Sequence, residues 1–231
     1  MIQNPPPLLL FVDGIDGSGK STWARQASDA LRAMGTSVWP LSVDDFRTPV
    51  DWHAHGAAQA QAYYDEYFDL QLLDDVLRDV ARGQRKLRLP VFTEGHPRAW
   101  QEVQIEACDV VLLEGVFTQR LATAAGAGLV YVDVEWALAR ERILVRDQAK
   151  GRTASDVNDR IDQRYIPGQR MYEVQCRPRS RAHWVATFDK ASEALRLTRT
   201  ANDLPPHPLW PQVEQAIYKA SARPAMNVDD A

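Results

Sequence analysis

The sequence predicts an α/β protein of three layers, in which helices cover both faces of a mostly parallel central sheet. Runs rich in apolar residues at positions 8–12, 110–113 and 129–134 support this prediction. Strands that are buried on both faces are continuously apolar rather than alternating. Segments with helical spacing lie between these runs, and strands that alternate with helices are typical of parallel sheets. The 231 residues suffice for one such domain with a substantial core.

A glycine-rich loop follows the first apolar run and matches the pattern G-x-x-x-x-G-K-[ST] without a mismatch. Apolar residues at helical spacing come next, and Gly35 stands where a helix C-cap is expected. In this context the loop N–H groups and the helix N-terminus can bind a polyphosphate, Lys20 can reach the outer phosphates, and the Ser21 hydroxyl can bind magnesium. The predicted fold is therefore a P-loop NTPase-type three-layer sandwich. The predicted nucleotide-binding residues of the loop are Gly14, Asp16, Gly17, Ser18, Gly19, Lys20, Ser21 and Thr22.

A second strand is predicted at positions 37–41, and an acidic pair follows it. Ligands of open parallel sheets bind beyond the carboxyl ends of the strands, so Asp44 and Asp45 are expected at the edge that carries the glycine loop. Acids there can hold magnesium or take a proton from an attacking hydroxyl. Aspartates also commonly cap helices and turns, and the sequence leaves both interpretations open.

The stretch from 52 to 105 is predicted to hold a loop, helices and a hairpin. Residues 52–56 are expected as a loop, and residues 57–82 as helices with an apolar face. Tyrosines and acids at positions 63–69 either line a pocket or form the inner face of an amphipathic helix. A strand is expected at 87–92, a loop with His96 after it, and a hairpin arm at 100–105.

The apolar run at 110–113 ends in Glu114. A buried parallel strand would deliver this carboxylate to the edge that carries the glycine loop, where P-loop enzymes hold magnesium through an acid. A capping acid is the alternative interpretation. The strand predicted at 129–134 needs no chemical role.

An arginine cluster lies on the helix predicted at 136–150, and a break follows at 151–153. Arginines match phosphate oxygens in a bidentate way, so Arg142, Arg146 and Arg152 are candidates for a lid, at about residues 147–156, that closes over a transferring phosphoryl group. Arginines on a surface helix are often only solvated, with acids such as Asp147 as partners. The glycine loop favours the lid.

The C-terminal third is predicted to contain a helical stretch, a final strand and a closing helix. The helical stretch covers 155–176 with a break at 166–168, the strand 183–188 and the helix 208–221. Residues 1–222 are expected to form a single kinase-type domain and residues 223–231 a frayed tail.

Composition excludes several classes of protein. A formal net charge of −4 speaks against broad phosphate neutralisation on nucleic acid. Two cysteines without paired spacing support neither a disulfide framework nor a zinc site. We expect a cytoplasmic protein without membrane partners, because the N-terminus lacks a signal-peptide pattern and no apolar stretch approaches about 20 residues.

Four blocks, in order, resemble the uridine kinase branch of the P-loop small-molecule kinases. They are the glycine loop and the segments 41–46, 112–115 and 142–152, and weaker similarity extends the likeness over residues 8–188. The resemblance implies an ATP- and Mg²⁺-dependent kinase that phosphorylates a hydroxyl of a nucleoside or a similar polar small molecule. Members of this family often assemble into oligomers, and the sequence leaves the oligomeric state open.

The resemblance also assigns roles to single residues. It implies that Asp44 is the general base and that Lys20 and Arg146 stabilise the phosphoryl group. Magnesium would be held by Ser21, Asp44 and Glu114, and the nucleotide also by Arg142 and Arg152. The implied acceptor-binding residues are Asp44, Asp65, Phe92, His96 and Arg98.

The chain departs from the family in the segment that would recognise the acceptor. The family has a tyrosine–aspartate pair before the histidine, and this chain has Phe92 and Thr93. Buried hydrogen bonds discriminate strongly between ligands, so without those polar groups the sequence does not indicate which nucleobase, if any, the acceptor carries. A thymidylate kinase-like nucleoside monophosphate kinase and a non-catalytic ATP-binding module are alternatives. No Asn-Lys-x-Asp run typical of guanine-binding switches occurs.

Overall fold

The computed structural model describes residues 5–93, 96–189 and 194–222 of the chain. The strands in these ranges are β1 (Leu8–Gly14), β2 (Val38–Ser42), β3 (Lys86–Val91), β4 (Ala99–Gln104), β5 (Val110–Gly115), β6 (Gly128–Asp133), β7 (Trp184–Asp189) and β8 (Ala194–Arg199). The α-helices are α1 (Lys20–Ala33), α2 (Trp52–His55), α3 (Gln59–Asp65), α4 (Leu70–Ala81), α5 (Trp136–Ala149), α6 (Ala154–Arg160), α7 (Ile166–Cys176), α8 (Pro178–Arg181) and α9 (Trp210–Ser221).

The central sheet has the strand order β2-β5-β1-β6-β7-β8. Neighbouring strands pair in parallel except β7 and β8, which are antiparallel. In the register of the sheet, Glu114 on β5 lies between Val12 on β1 and Ser42 on β2. The glycine loop, Glu114 and the segment after β2 therefore follow the carboxyl ends of adjacent strands and share one edge, as the sequence predicted.

Helices cover both faces of the sheet, which confirms the predicted three-layer class. Side chains of β1 alternate between the faces, since successive residues of a strand point in opposite directions. Leu10 and Val12 pack on one face with Trp23 of α1 and Val213 of α9. Phe11 packs on the other face, in the cluster that contains Leu73 of α4 and Tyr172 of α7. Both faces are buried, as the continuous apolar strands require.

Strands β3 and β4 form a separate two-stranded antiparallel sheet. The hairpin predicted from the apolar pattern at 87–105 is therefore confirmed. Most residues of β4 are exposed, and Trp100 is 41% exposed. The hairpin does not extend the central sheet, and Leu87 of β3 packs in the core cluster that contains Phe11.

Residues 52–56 were expected as a loop, and this expectation is wrong. Residues 52–55 form the short helix α2, and a 3-10 turn at Gly56–Ala58 follows. Asp51 caps α2, because its Oδ1 accepts the N–H groups of His53 (3.1 Å) and Ala54 (3.3 Å). A single turn of helix is too short to show an apolar period, so the capping aspartate is the available sequence signal. His53 is exposed, and half-buried His55 lies 3.5 Å from Glu66.

The helix break predicted at 166–168 does not occur. Pro167 lies in the first turn of α7, where its missing N–H removes no helical hydrogen bond. The irregular segment precedes it, as a π-helical turn at Ile161–Tyr165. Insertions of this kind are frequent at functional sites.

Strand β7 was expected to be the last strand, and the structure adds β8 after it. β8 lies at the edge of the sheet and alternates half-buried with exposed side chains. This alternation is a weaker signal than the apolar run of a central strand, so the sequence does not predict β8. The tail predicted at 223–231 lies outside the described residues.

Candidate active site

The glycine loop is shaped by backbone conformations and close contacts that only glycine tolerates. Gly17 (φ +76°) and Gly19 (φ +90°) adopt the left-handed region. A Cβ added to Gly14 would lie 2.7 Å from the carbonyl oxygen of Val132, and one added to Gly17 would lie 2.4 Å from that of Ala139. The loop is therefore packed closely against β6 and α5. Its fold is also held by the N–H of Asp16, which donates to Oε1 of Gln169 (2.8 Å), and by the N–H of Ser18, which donates to the carbonyl oxygen of Ile15 (3.0 Å).

Gly17→Ala is expected to distort the loop and to weaken ATP binding by at least tenfold, because its Cβ would collide with backbone. Gly83→Ala is the matched control, since Gly83 also has a positive φ (+91°) but an added Cβ meets nothing within 4 Å. The control should cost about 1–2 kcal/mol of stability from backbone strain and leave ATP affinity unchanged. Isothermal titration with ATP checks both variants. Equal loss of affinity in the two would contradict the packing argument.

Lys20 begins α1 and points along the loop. It is 9% exposed, and its Nζ lies 3.4 Å from the carbonyl oxygen of Ile15 and 3.9 Å from Oδ1 of Asp16. Asp16 is itself held in place, because its Oδ2 accepts hydrogen bonds from the hydroxyl of Tyr63 (2.7 Å) and from Nε2 of Gln169 (2.7 Å). The ammonium group is thus fixed beside the loop by partners from α3 and α7.

Glu114 links the loop to the segment after β2. Its Oε2 accepts a hydrogen bond from Oγ of Ser21 (2.9 Å), and its Oε1 accepts one from Oγ of Ser42 (2.7 Å). The Ser42 hydroxyl in turn accepts the N–H of Asp44 (3.2 Å). Hydroxyl and carboxylate oxygens are the ligands that Mg²⁺ prefers, and Mg²⁺ commonly uses one or two carboxylates together with substrate phosphates. Ser21 and Glu114 therefore fit a magnesium ion.

The two acids after β2 have different environments. Both lie in a 3-10 turn at Val43–Phe46. Asp45 completes a capping box, because its Oδ2 accepts the N–H of Ser42 at 3.3 Å. Asp44 is exposed and lines the large cavity together with Asp16. One acid thus has the capping role and the other has access to a ligand.

The large cavity has a volume of about 480 Å³, within the range of small-molecule sites. It extends from Asp16 of the glycine loop, past Asp44, to the residues that precede α7. Its lining consists of Asp16, Asp44, Arg47, Thr48, Pro49, Val50, Trp52, Tyr63, Tyr67, Phe68, Phe92, Arg146, Asp147, Lys150, Arg152, Arg160, Arg164 and Tyr165.

The predicted lid arginines divide between two places. Arg146 and Arg152 line the cavity and share the buried carboxylate of Asp147, at 2.8 Å and 3.2 Å. Burial lowers the pKa of Arg146, but the carboxylates of Asp16 and Asp147 outweigh it and the pKa is raised. Arg142 instead lies on the glycine loop, 3.4 Å from the carbonyl oxygens of Gly17 and Ser18.

Three of the residues assigned to the acceptor lie outside this cavity. Asp65 is the last residue of α3, and its carboxylate pairs with Arg120 at 3.5 Å. His96 is exposed in the loop before β4. Arg98 donates to Oδ2 of Asp69 (2.7 Å) and so fixes the hairpin to the start of α4. Phe92 does line the cavity.

Several residues that line the cavity had no acceptor-binding role in the leading sequence prediction, and Arg47 had one only in the alternative of a nucleoside monophosphate kinase. Arg47 follows the 3-10 turn at Val43–Phe46, Trp52 begins α2, and Arg164 lies in the π-helical turn, so the three come from separate segments of the chain. The π-helical turn directs Arg164 and Tyr165 toward the cavity side of the helix. Only tertiary structure brings these positions together, so spacing along the chain carried no signal for them.

Asp13 lies buried behind the glycine loop and is not part of the cavity. It accepts hydrogen bonds from the N–H of Gly14 (2.7 Å), the Thr118 hydroxyl (2.8 Å) and the Tyr172 hydroxyl. Burial nevertheless raises the pKa of Asp13 from 3.8 to about 6. The folded protein therefore binds this proton more tightly than the unfolded chain does.

This shift predicts a pH dependence of stability. Because the folded state holds more protons between pH 3.8 and about 6, the contribution of Asp13 to the free energy of unfolding falls as the pH rises through that window. At 1.36 kcal/mol per pKa unit the loss amounts to about 3 kcal/mol. Urea unfolding of the wild type and Asp13→Asn at pH 4 and pH 7 checks it. The stability of the wild type relative to the variant should fall by about that amount, and a pH-independent difference would contradict the prediction.

Comparison with known proteins adds independent information. The family model described as Phosphoribulokinase / Uridine kinase family matches residues 10–183. A uridine kinase from Lactobacillus johnsonii is 26% identical over 187 residues, which cover 78% of this chain and 85% of that protein. A pantothenate kinase from Bradyrhizobium diazoefficiens is 31% identical over 116 residues, which cover 48% of this chain and 36% of that protein.

Among solved structures, a protein described as a possible uridine kinase from Bacillus stearothermophilus superposes with a TM-score of 0.60. It is 26% identical, and the match covers 81% of this chain and 91% of that one. Within the described residues, no helix is long and apolar enough to cross a bilayer. The same residues contain no cluster of three or more histidine, cysteine, aspartate or glutamate side chains suited to a metal ion.

Proposed function

Because the chain belongs to the phosphoribulokinase / uridine kinase family, we propose that it transfers the γ-phosphoryl group of ATP to a hydroxyl of a nucleoside or a similar polar small molecule. The family assignment makes the chain a phosphotransferase that uses ATP and an alcohol acceptor. We propose in addition the chemical class of the acceptor and the roles of individual residues.

One observation carries the proposal: the glycine loop and Asp44 lie on the same cavity and are linked through a single carboxylate. Ser21 at the start of α1 bonds to Glu114, Glu114 bonds to Ser42, and Ser42 positions the turn that holds Asp44. A triphosphate in the loop would thus point its last phosphorus toward the cavity that Asp44 lines. Holding donor and acceptor in this way supplies much of the rate of phosphoryl transfer.

In this proposal Asp44 accepts the proton of the attacking hydroxyl. Lys20 holds the outer phosphates, and Ser21 and Glu114, with Asp44 nearby, hold Mg²⁺. The ion would neutralise charge on the phosphates. Arg146 and Arg152 close over the transferring group as part of a lid at about 147–156, and Arg142 contacts the nucleotide from outside the loop.

A nucleoside monophosphate kinase is the second candidate. Arg47 lines the cavity immediately after the Asp44 turn, and its Nε donates to the carbonyl oxygen of Asp44 at 2.9 Å. An arginine at this place can hold an acceptor phosphate. Such an enzyme would form a phosphoanhydride, whereas the leading proposal forms a phosphate ester.

An ATP-consumption screen tests the proposal. Nucleosides, nucleoside monophosphates, pantothenate-like alcohols and sugar phosphates would each be offered with ATP, with and without Mg²⁺. We expect ADP formation that requires both Mg²⁺ and an alcohol. Turnover with monophosphates alone, and a diphosphate product, would favour the second candidate. ATP binding without any acceptor-dependent turnover would indicate a non-catalytic module and contradict the proposal.

A further inference from the structure

The cavity carries more positive than negative side chains. Six of its lining residues are cationic and three are carboxylates. The cations are Arg47, Arg146, Lys150, Arg152, Arg160 and Arg164, and the carboxylates are Asp16, Asp44 and Asp147. A concave surface with an excess of one charge concentrates ligands of the opposite charge. Some of these cations would contact the phosphates of ATP, and the others could contact the acceptor.

Two of the arginines belong with the nucleotide. Arg146 and Arg152 are both bound to Asp147, and the charge of Asp16 on the glycine loop acts on Arg146. These contacts place the pair next to the loop that would hold the triphosphate. Lys20 and these two arginines would thus supply the positive charge that faces the transferring phosphoryl group.

Arg47 lies on a different wall of the cavity. Contacts lead from Lys20 to Asp16 (3.9 Å), from Asp16 to the Tyr63 hydroxyl (2.7 Å), and from the Tyr63 ring to the Tyr67 ring (centroids 5.5 Å). Tyr67 then shares a hydrogen bond with Arg47. Three side chains therefore separate the ammonium of Lys20 from the guanidinium of Arg47. We call the side of the cavity that carries Arg47 and Tyr67 the acceptor wall, because it lies away from the lysine that would hold the phosphates.

The guanidinium of Arg47 is oriented and makes no direct ion pair among the described residues. Burial lowers its pKa, but the carboxylates of Asp44 and Asp45 and the hydroxyl of Tyr67 outweigh this effect and the pKa is raised. It is stacked over the ring of Phe92 (4.7 Å to the centroid), and its Nε donates to the carbonyl oxygen of Asp44 (2.9 Å). Its partners are this carbonyl, the Tyr67 hydroxyl and the aromatic ring, and within the described ranges none of them is a carboxylate. A half-buried guanidinium held on a ring keeps donors available for a bidentate contact with a carboxylate or a phosphate.

Arg164 also lies over an aromatic ring. Its guanidinium lies over the ring of Trp52 (4.1 Å), and its Nε donates to Oε1 of Gln59 (2.6 Å). The Trp52 ring is in edge contact with Tyr67 at 5.2 Å, which places Arg164 on the same wall as Arg47. Two arginines fixed on aromatic rings thus flank one tyrosine on the side of the cavity away from Lys20.

We propose that the acceptor alcohol carries a separate anionic group, a carboxylate or a phosphate monoester, which binds at Arg47 while the hydroxyl lies at Asp44. This inference rests on the proposed function and narrows its acceptor from polar molecules to anionic ones. A neutral nucleoside would offer no anionic group to the Arg47 guanidinium. The hydroxyl, not the anion, receives the phosphoryl group, and its proton goes to Asp44.

Matched acceptor pairs test the inference. Pantothenate would be compared with its neutral alcohol panthenol, ribose 5-phosphate with ribose, and both pairs with uridine, by ADP formation at saturating ATP. The anionic member of at least one pair should have the higher kcat/KM by about tenfold to a hundredfold, the effect of one charge-assisted contact. The two pairs also separate a carboxylate acceptor from a phosphate one. Preference for uridine or for the neutral members would overturn the inference and leave the proposed function standing.

Arg47→Met assigns the effect to one residue. With the anionic acceptor we expect KM to rise about tenfold to a hundredfold, the KM of ATP to stay within about twofold, and the preference over the neutral twin to disappear. Arg88→Met is the matched control, because Arg88 is also stacked on a ring, that of Trp100 at 4.8 Å, but lies on the exposed hairpin. Equal losses for charged and neutral acceptors would mean that Arg47 only supports the Asp44 turn, and would overturn the inference. If no alcohol, charged or neutral, increases ADP formation, the proposed function itself fails.

Discussion

Asp44→Asn is expected to lower kcat by about a hundredfold to ten-thousandfold, the range that a general base contributes. Asparagine keeps the size of the side chain and removes the group that takes the proton from the attacking hydroxyl. The affinity for ATP should change little, because Lys20 and the N–H groups of the glycine loop supply most of that binding. Steady-state kinetics with a responsive acceptor, together with titration of ATP, measure both quantities.

The neighbouring acid provides the control for this prediction. Asp45 has the same chemistry but caps the 3-10 turn, with its Oδ2 on the N–H of Ser42 at 3.3 Å. Asp45→Asn should cost about 1 kcal/mol of stability and leave kcat within a few fold of the wild type. If Asp45→Asn abolishes turnover and Asp44→Asn does not, the base has been assigned to the wrong aspartate.

Lys20→Met should lower kcat by about a hundredfold to a thousandfold, as does the loss of one preorganised contact to a developing charge. Methionine retains the apolar stem, so the variant removes only the ammonium that lies 3.9 Å from Asp16 and 3.4 Å from the carbonyl oxygen of Ile15. Lys86→Met, at the exposed start of β3, is the control for removal of one positive charge. An unchanged kcat in Lys20→Met, measured by ADP formation at saturating ATP, would remove the lysine from the mechanism.

The phosphate side of the site could be predicted from sequence because its residues lie in two short, recognisable segments. The glycine loop, Lys20 and Ser21 lie in one continuous motif between a strand and a helix, and Glu114 ends an apolar run. Parallel strands bring their carboxyl ends to one edge, so the meeting of Ser21 with Glu114 followed from topology. The same rule placed Asp44 on the edge but could not separate it from Asp45, whose capping bond depends on turn geometry.

The acceptor side could not be predicted because it is assembled from distant segments. Arg47, Trp52 and Arg164 meet only after α3 packs on the helical segment that includes the π-helical turn. The resemblance assigned Asp65 to the acceptor, and the structure places its carboxylate 3.5 Å from Arg120, outside the lining of the cavity. A change of helix type shifts which side chains face inward, and a π-helical turn has no reliable sequence signature.

The central claim is that the loop around Lys20 directs the last phosphorus of ATP at an alcohol beside Asp44. A structure with Mg²⁺, a non-hydrolysable ATP analogue and an acceptor found in the screen tests it most directly. The account predicts the γ-phosphate at Lys20, the acceptor oxygen about 3–3.5 Å from its phosphorus, and that oxygen within hydrogen-bond distance of the Asp44 carboxylate. An analogue bound away from the glycine loop, or an acceptor hydroxyl out of reach of Asp44, would contradict it.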